Sequence, residues 1–208
     1  MATLETPLSR FVPDVLGRGD YQIIGEIVEP NSSVLDLGCG EGELLAWLAE
    51  RKQAKARGVE ISAAKVRKCV ALGLSVYQGD IDQGLADYPE QCFDYVILSQ
   101  TLQETYRPLD VLREMVRVGR RAIVAFPNFG HWSVRHSLAW TGHAPKTRHL
   151  PYEWHDSPNI HFVTVLDFED LIRREGWTME RSYFLRGDRR VTFWPSLRCD
   201  SAVYQIRK

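Results

Sequence analysis

The 208-residue sequence has no apolar run approaching the roughly 18 residues that a membrane-crossing helix needs, so no membrane partner is expected. No apolar stretch follows a basic start between Met1 and Asp20, which argues against a secretory leader and for a cytoplasmic protein. Its four cysteines, Cys39, Cys69, Cys92 and Cys199, form no CxxC pair. Neither a zinc site nor a redox dithiol is therefore expected, and free thiols fit a reducing compartment. Charge of neither sign prevails: 26 Lys and Arg against 27 Asp and Glu give −1. That balance excludes the broad basic field of a non-specific nucleic-acid binder while leaving room for a local basic patch. Repeats and low-complexity tracts are absent as well. With 44% hydrophobic and 25% charged residues, the chain reads as an ordinary globular protein, one domain over residues 1–208.

What is present is an alternation of strand and helix signals. Asp20 to Glu29 places Ile23, Ile24, Ile27 and Val28 at helical spacing, and Pro30-Asn31 ends it. Ser33 to Leu37 is a short apolar strand, and Glu43 to Arg51 a helix striped by Leu44, Leu45, Trp47 and Leu48. Further strands are predicted over Arg57 to Ile61, Leu74 to Gln78, Phe93 to Leu98 and Arg121 to Phe126. Between them lie helices over Ala63 to Leu72, capped by Ser62 and ended by Gly73, and over Pro108 to Val118. A helix over Asp167 to Glu175 and two strands, Trp177 to Leu185 and Ala202 to Arg207, complete the pattern. Such alternation implies right-handed crossovers and a doubly wound, mostly parallel, Rossmann-like α/β sheet.

The rhythm breaks between residues 128 and 166. This inserted segment holds all six histidines, His131, His136, His143, His149, His155 and His161, together with Trp132, Trp140 and Trp154. Trp132 to Thr141 reads as a helix and the rest as loop; a segment of this length is more often functional than idle. The tryptophans are expected either to pack the segment down or to form a lid or a docking surface, with Arg135 and Arg148 among them. Arg189-Arg190 reads as a solvated loop pair.

The strongest local signal is Val34 to Gly42, VLDLGCGEG, at a strand-to-helix turn, where a doubly wound sheet binds its ligands. Glycines permit the tight turn and the close approach of a ligand. Glu43 stands where a dinucleotide fingerprint needs its third glycine, and no Gly-Lys-Ser/Thr follows, so a phosphate ligand is disfavoured. At the end of the second strand Glu60, followed by Ile61, is placed to accept from both hydroxyls of a ribose. Asp80 ends the third strand, where it can accept from an adenine amino group with Ile81 against the ring. A nucleoside with a zwitterionic, sulfonium-bearing tail suits these carboxylates better than a pyrophosphate does.

In order, DLGCGEG, VEIS, GDI and FDYVILSQTL resemble the motifs of class I S-adenosylmethionine-dependent methyltransferases. The resemblance implies S-adenosylmethionine or S-adenosylhomocysteine as ligand. It implies Gly38, Cys39 and Gly40 along the methionyl part and Glu60 on the ribose. It further implies Asp80 and Ile81 at the adenine, Ser99 and Gln100 on the opposite side, and Asp36 at the methionyl amino end. Cys39 then counts for its backbone, since nothing near it in sequence supplies a base. FPNFGHWSVR and PYEWHDSPNIHFVTVLDFEDL extend the likeness to the MetW family over most of the chain. That family is associated with methionine biosynthesis and the homoserine O-acyltransferase MetX.

A methyl-acceptor signature is harder to find. Ser99 to Glu104, after the fourth strand, holds neither an Asp/Asn-Pro-Pro-aromatic motif nor a Pro-Cys pair. Histidine suits proton transfer near neutrality, but the six are spaced too widely for a chelating pair. His131 and His161, which flank the segment, are the first choices for a site role; no residue is assigned as catalytic and none as a metal ligand. Two functions follow as expectations: a ligand-binding partner or regulator of homoserine O-acyltransferase, or a methyltransferase acting on a small cytosolic metabolite.

Overall fold

The computed structural model describes residues 18–147 and 150–208. Residues 1–17 of the N-terminal stretch read above for a leader, and also Arg148 and His149, lie outside the described residues. Eight strands form one mixed sheet: β1 (Ser33–Leu37), β2 (Lys55–Glu60), β3 (Ser75–Gln78), β4 (Phe93–Ser99), β5 (Gly119–Pro127), β6 (Thr178–Arg186), β7 (Arg189–Arg190) and β8 (Ser201–Arg207). Their order is β3-β2-β1-β4-β5-β8-β6-β7. The first five strands are parallel, while β8, β6 and β7 add on in antiparallel fashion. Strand order therefore reverses between β1 and β4, which opens a crevice at their carboxyl ends.

Strand alternation supplies both faces of the sheet. Val96, Leu98, Val124, Phe126 and Tyr204 point to one side, where α4 (Pro108–Val118) adds Val111, Leu112 and Met115 and α6 (Val165–Glu175) adds Phe168 and Ile172. Tyr95, Ile97, Ile123, Ala125 and Val203 point to the other, against Ile23, Ile24 and Ile27 of α1 (Gly19–Ile27) and Leu44 and Leu48 of α2 (Glu43–Lys52). Both faces are thus apolar, as a helix-covered parallel sheet requires. A third cluster, Cys39, Leu45, Ala46, Cys69 and Leu74, fills the space beneath the glycine turn, between α2 and α3 (Ala63–Ala71). Ser62 caps α3 by accepting from Lys65 N, and Pro108 begins α4, both as the sequence predicts.

Gly58 in β2 shows how tightly this cluster fits. A Cβ there would lie 2.5 Å from Cys39 Sγ and 2.7 Å from Leu45. Gly58→Ala is expected to cost about 1–3 kcal/mol in a urea melt, the usual penalty for overpacking. An unchanged midpoint would mean that the cluster yields freely.

Of the alternatives open for the tryptophans of segment 128–166, packing is the one that the structure does not show. α5 (Trp132–Thr141) forms where predicted but buries no residue. Trp140 and Trp154 are 77% and 79% exposed, and Trp132 is half exposed, so they do not pin the segment down. Asn128 does much of that work. Its Nδ2 donates to the Ser196 and Cys199 carbonyls, and its Oδ1 accepts from Gly130 N and, at 3.4 Å, from Val165 N. Phe129 packs edge-on against Phe162. Arg189 and Arg190 are not a loop but the short β7, closed onto β6 by a two-residue turn. α7 (Pro195–Arg198) then leads into β8. Both are too short to carry a period that the sequence pattern could reveal.

Candidate functional site

At the carboxyl end of β1 the chain turns through Gly38, Gly40 and Gly42, with φ of 71°, 60° and 86°. These values favour glycine. Val59 O accepts from both Gly38 N (2.8 Å) and Cys39 N (3.1 Å), which ties the turn to β2. Glu60, only 5% exposed, holds the next step: its Oε2 accepts from Gly40 N at 2.9 Å and its Oε1 from Ser62 N at 2.8 Å. The main-chain N–H groups of residues 38–40 are therefore engaged within the protein rather than left bare for a ligand. The Cα face of Gly40 is what stays open, with nothing within 4 Å of an added Cβ among the described residues. A carboxylate offers about four acceptor directions, so Glu60 keeps two for a ligand.

Beside this turn lies a cleft of about 250 Å³ lined by Gly38, Glu60, Ile61, Asp80, Ile81 and, across from them, Thr101 and Tyr106 among others. Asp80 is half-buried and begins a 3-10 turn (Ile81–Gln83), where its Oδ1 accepts from Asp82 N at 2.9 Å. Asp82 in turn accepts from Tyr106 N and Arg107 N, which joins the two walls. Ile81 packs partly against the core and Ile61 is 65% exposed. Five of the ten sequence-selected residues, Gly38, Glu60, Ile61, Asp80 and Ile81, thus line one cleft.

The remaining five lie around it. Cys39 is buried under the turn, and burial pushes its thiol well above the ordinary range. Gly40 faces open space. Gln100 follows β4 with φ of 55°; its N–H donates to Ala125 O and its carbonyl accepts from Gln103 Nε2. Ser99 does not line the cleft. Its hydroxyl donates to Asp20 at 2.6 Å, and Arg18 grips the same carboxylate at 2.6 Å while stacking over Tyr21 at 3.8 Å. Asp36, in β1 and 3% exposed, has its carboxyl pushed up to about 7 by burial. The nearby Arg18 opposes that shift, whereas Glu60 and Asp20 add to it.

In the sequence Arg18, Asp20 and Tyr21 show only as a helix start, and Lys65, Thr105 and Tyr106 of the cleft wall do not stand out at all. The signal available was the charged and aromatic run Arg18-Gly19-Asp20-Tyr21 directly before an apolar helix. Of the two favoured histidines, His131 caps α5 by accepting from Ser133 N through Nδ1, with Nε2 3.6 Å from Asp200. His161 donates its main-chain N–H to Gln103 O, while its Nε2 and Gln103 Oε1 are buried without a hydrogen-bond partner among the described residues. No described residue of segment 128–166 lines the 250 Å³ cleft. Among the described residues, no three His, Cys, Asp or Glu side chains cluster in a way that would hold a metal ion. No described helix is long and apolar enough to cross a membrane.

A reversal of strand order between β1 and β4, a glycine turn clasped by the acidic end of β2 and a second acid closing β3 define the class I S-adenosylmethionine-dependent methyltransferase fold. A solved methyltransferase of that kind from Mesorhizobium loti superposes with a TM-score of 0.70 at 17% identity, covering 92% of this chain and 99% of that one. Another from Archaeoglobus fulgidus gives 0.67 at 15%, covering 90% of each. Within that class the chain belongs to the family of the methionine biosynthesis protein MetW, whose model matches residues 18–206. A bifunctional methionine biosynthesis protein MetXA/MetW of Rhodopirellula baltica is 34% identical over 208 aligned positions, covering 94% of this chain. The chain spans about a third of that relative's length, 33%.

Proposed function

We propose that this MetW-family chain binds S-adenosylmethionine or S-adenosylhomocysteine in the crevice and acts in the cytoplasm as partner or regulator of homoserine O-acyltransferase. The observation that carries the ligand is Glu60, a buried carboxylate held at the mouth of the cleft with two acceptor directions to spare. The lining of the cleft fits the nucleoside: Glu60 to accept from the ribose hydroxyls, Asp80 to accept from the adenine amino group, Ile61 and Ile81 for the ring. Asp36 lies near Arg18, a pair suited to an amino and a carboxylate group in turn. The five sequence-selected residues that do not line the cleft belong, on this reading, to the part of the crevice around the amino-acid tail. When bound, S-adenosylmethionine supplies an electrophilic methyl group on a sulfonium. The chain's own contribution is to orient the nucleoside and to fix the tail against Gly40.

The partner half of the reading is supported by the relative whose name joins MetXA to MetW in one protein. Segment 128–166 supplies a surface for such a partner, since exposed aromatic residues are the usual anchors of interfaces. Trp140, Trp154 and Phe162 are each at least 75% exposed. For regulation, the nucleoside must bind the complexed and free forms with different affinity. The test mixes this protein with a homoserine O-acyltransferase and follows co-elution and acyl transfer, with and without S-adenosylhomocysteine. Trp140→Ala/Trp154→Ala is expected to weaken the complex at least tenfold while leaving nucleoside affinity within twofold. Failure to co-elute, with no change in acyl transfer, removes the partner role.

A second reading is methyl transfer to a small cytosolic metabolite. It is favoured by Gln103 Oε1 and His161 Nε2, a buried acceptor and a buried ring nitrogen without partners among the described residues, close to the strained Gln100. Labelled-methyl transfer into a metabolite extract, without effect on the acyltransferase, would select it.

A further inference from the structure

A larger hollow lies at the same carboxyl edge but shares no residue with the nucleoside cleft. It has a volume of about 670 Å³, and its walls include Trp132, Arg186, Arg189, Arg190, Arg198 and Asp200. The turn Gly187-Asp188 joins β6 to β7 so that Arg186 and Arg189 stand directly opposite each other on one rung. Like charges in that position repel and destabilise a hairpin. Neither arginine, nor Arg198 at the end of α7, has an ion pair among the described residues. Arg190 differs: it pairs with Glu26 and stacks on Tyr183. Asp200 is the carboxylate in the wall, and its charge is already directed to Gly187 N at 3.0 Å and towards His131. Three guanidiniums without an ion pair among the described residues thus share one concave wall with Asp200. α5 adds to the positive potential there, because its first residues, Trp132 and Ser133, line the hollow and a helix N-terminus favours anions.

We propose that this hollow binds a small molecule carrying two or more closely spaced negative charges, of about nucleoside-diphosphate size. Guanidinium forks match phosphate and carboxylate oxygens two at a time. The volume falls in the range of small-molecule sites. The half-exposed Trp132 ring offers a planar partner for a base or other ring. Repulsion between Arg186 and Arg189 becomes attraction once an anion lies between them. Gly187 O sits 2.9 Å from where a Gly19 Cβ would be, so the hairpin touches the residue next to Arg18. The second ligand is therefore placed beside the tail end of the nucleoside site.

Isothermal titration of the full chain with inorganic pyrophosphate, ADP and citrate tests this. Pyrophosphate and ADP are expected to bind below millimolar, and Arg186→Gln/Arg189→Gln and Arg198→Gln each to weaken them at least tenfold. Arg181→Gln, the same charge change elsewhere on β6, should leave affinity within twofold. Binding of citrate alone supports the site and assigns its charges to carboxylates. Silence from all three probes overturns the proposal, as does equal weakening by Arg181→Gln. Silence combined with lost acyltransferase co-elution in the double variant also overturns it, in favour of an acidic protein surface. Parallel titration with S-adenosylhomocysteine reports on the other cleft, so a failure there leaves this result standing.

Discussion

Glu60→Gln is expected to weaken S-adenosylhomocysteine binding by roughly 100-fold while leaving the protein folded. Glu60 works in two directions at once. Inward, its two oxygens accept from Gly40 N and Ser62 N and so fix the glycine turn against the start of α3. Outward, on the proposed reading, the remaining lone pairs take the two ribose hydroxyls. Glutamine keeps one oxygen and replaces the other with a donor. Whichever way the amide is turned, its NH2 meets either the Gly40 or the Ser62 N–H, donor against donor. The variant therefore loses the charge, at least one ribose acceptor and half of the tether. Hydrogen bonds to a charged group contribute about 1.5–3 kcal/mol each, so two of them correspond to about 3 kcal/mol or more, two decades in affinity. Titration calorimetry reads the affinity, and a thermal melt separates it from unfolding. Unaltered affinity in a folded variant would remove the ribose from Glu60.

Why Glu60 was legible in the sequence while Arg18 was not is a matter of range. The glycine turn, the acid ending β2 and the acid ending β3 are each fixed by local rules: positive φ at glycine, apolar strands, and the interval from one strand end to the next. The same rules gave α1 through α6 and seven of the eight strands to within a few residues. Arg18 and Asp20 matter only because α1 runs past the end of β4, so that Ser99, some 80 positions away, can donate to Asp20. No local period encodes that meeting. Burial is equally hidden. A tryptophan-rich segment reads equally as packing, as a lid or as a docking surface, and only the structure shows that Trp140 and Trp154 lie in solvent. Arg189 and Arg190 read as a solvated pair because a two-residue strand has no pattern of its own. Only the pairing with β6 shows that Arg186 faces Arg189 while Arg190 faces Leu185. Even the glycine turn was half-read: its flexibility was evident, but not that Val59 O and Glu60 had already taken its N–H groups.

Nucleoside binding should also depend on pH, with S-adenosylhomocysteine about tenfold weaker at pH 6 than at pH 8. Asp36 is the cause. Burial, with Glu60 and Asp20 nearby, raises its carboxyl from 3.8 to about 7 despite Arg18. Because the folded value lies above the unfolded one, stability falls as pH rises from about 4 to 7, where the unfolded chain is ionised and the folded one still holds its proton. A ligand ammonium acts in the opposite sense. It favours the ionised carboxylate, so above pH 7 it meets a ready partner, and below pH 7 a proton must leave first. Across two pH units centred on 7 the ionised fraction changes about tenfold, and affinity for the ammonium follows it. Asp36→Asn separates the two effects. The apo variant is expected to gain roughly 1–3 kcal/mol at pH 8, because no charge is left to desolvate. It should bind the nucleoside weakly and with no step near pH 7. Histidines titrating elsewhere would leave the same slope in both proteins, so the difference between wild type and Asp36→Asn belongs to this carboxylate. Parallel pH profiles would place the amino group away from Asp36.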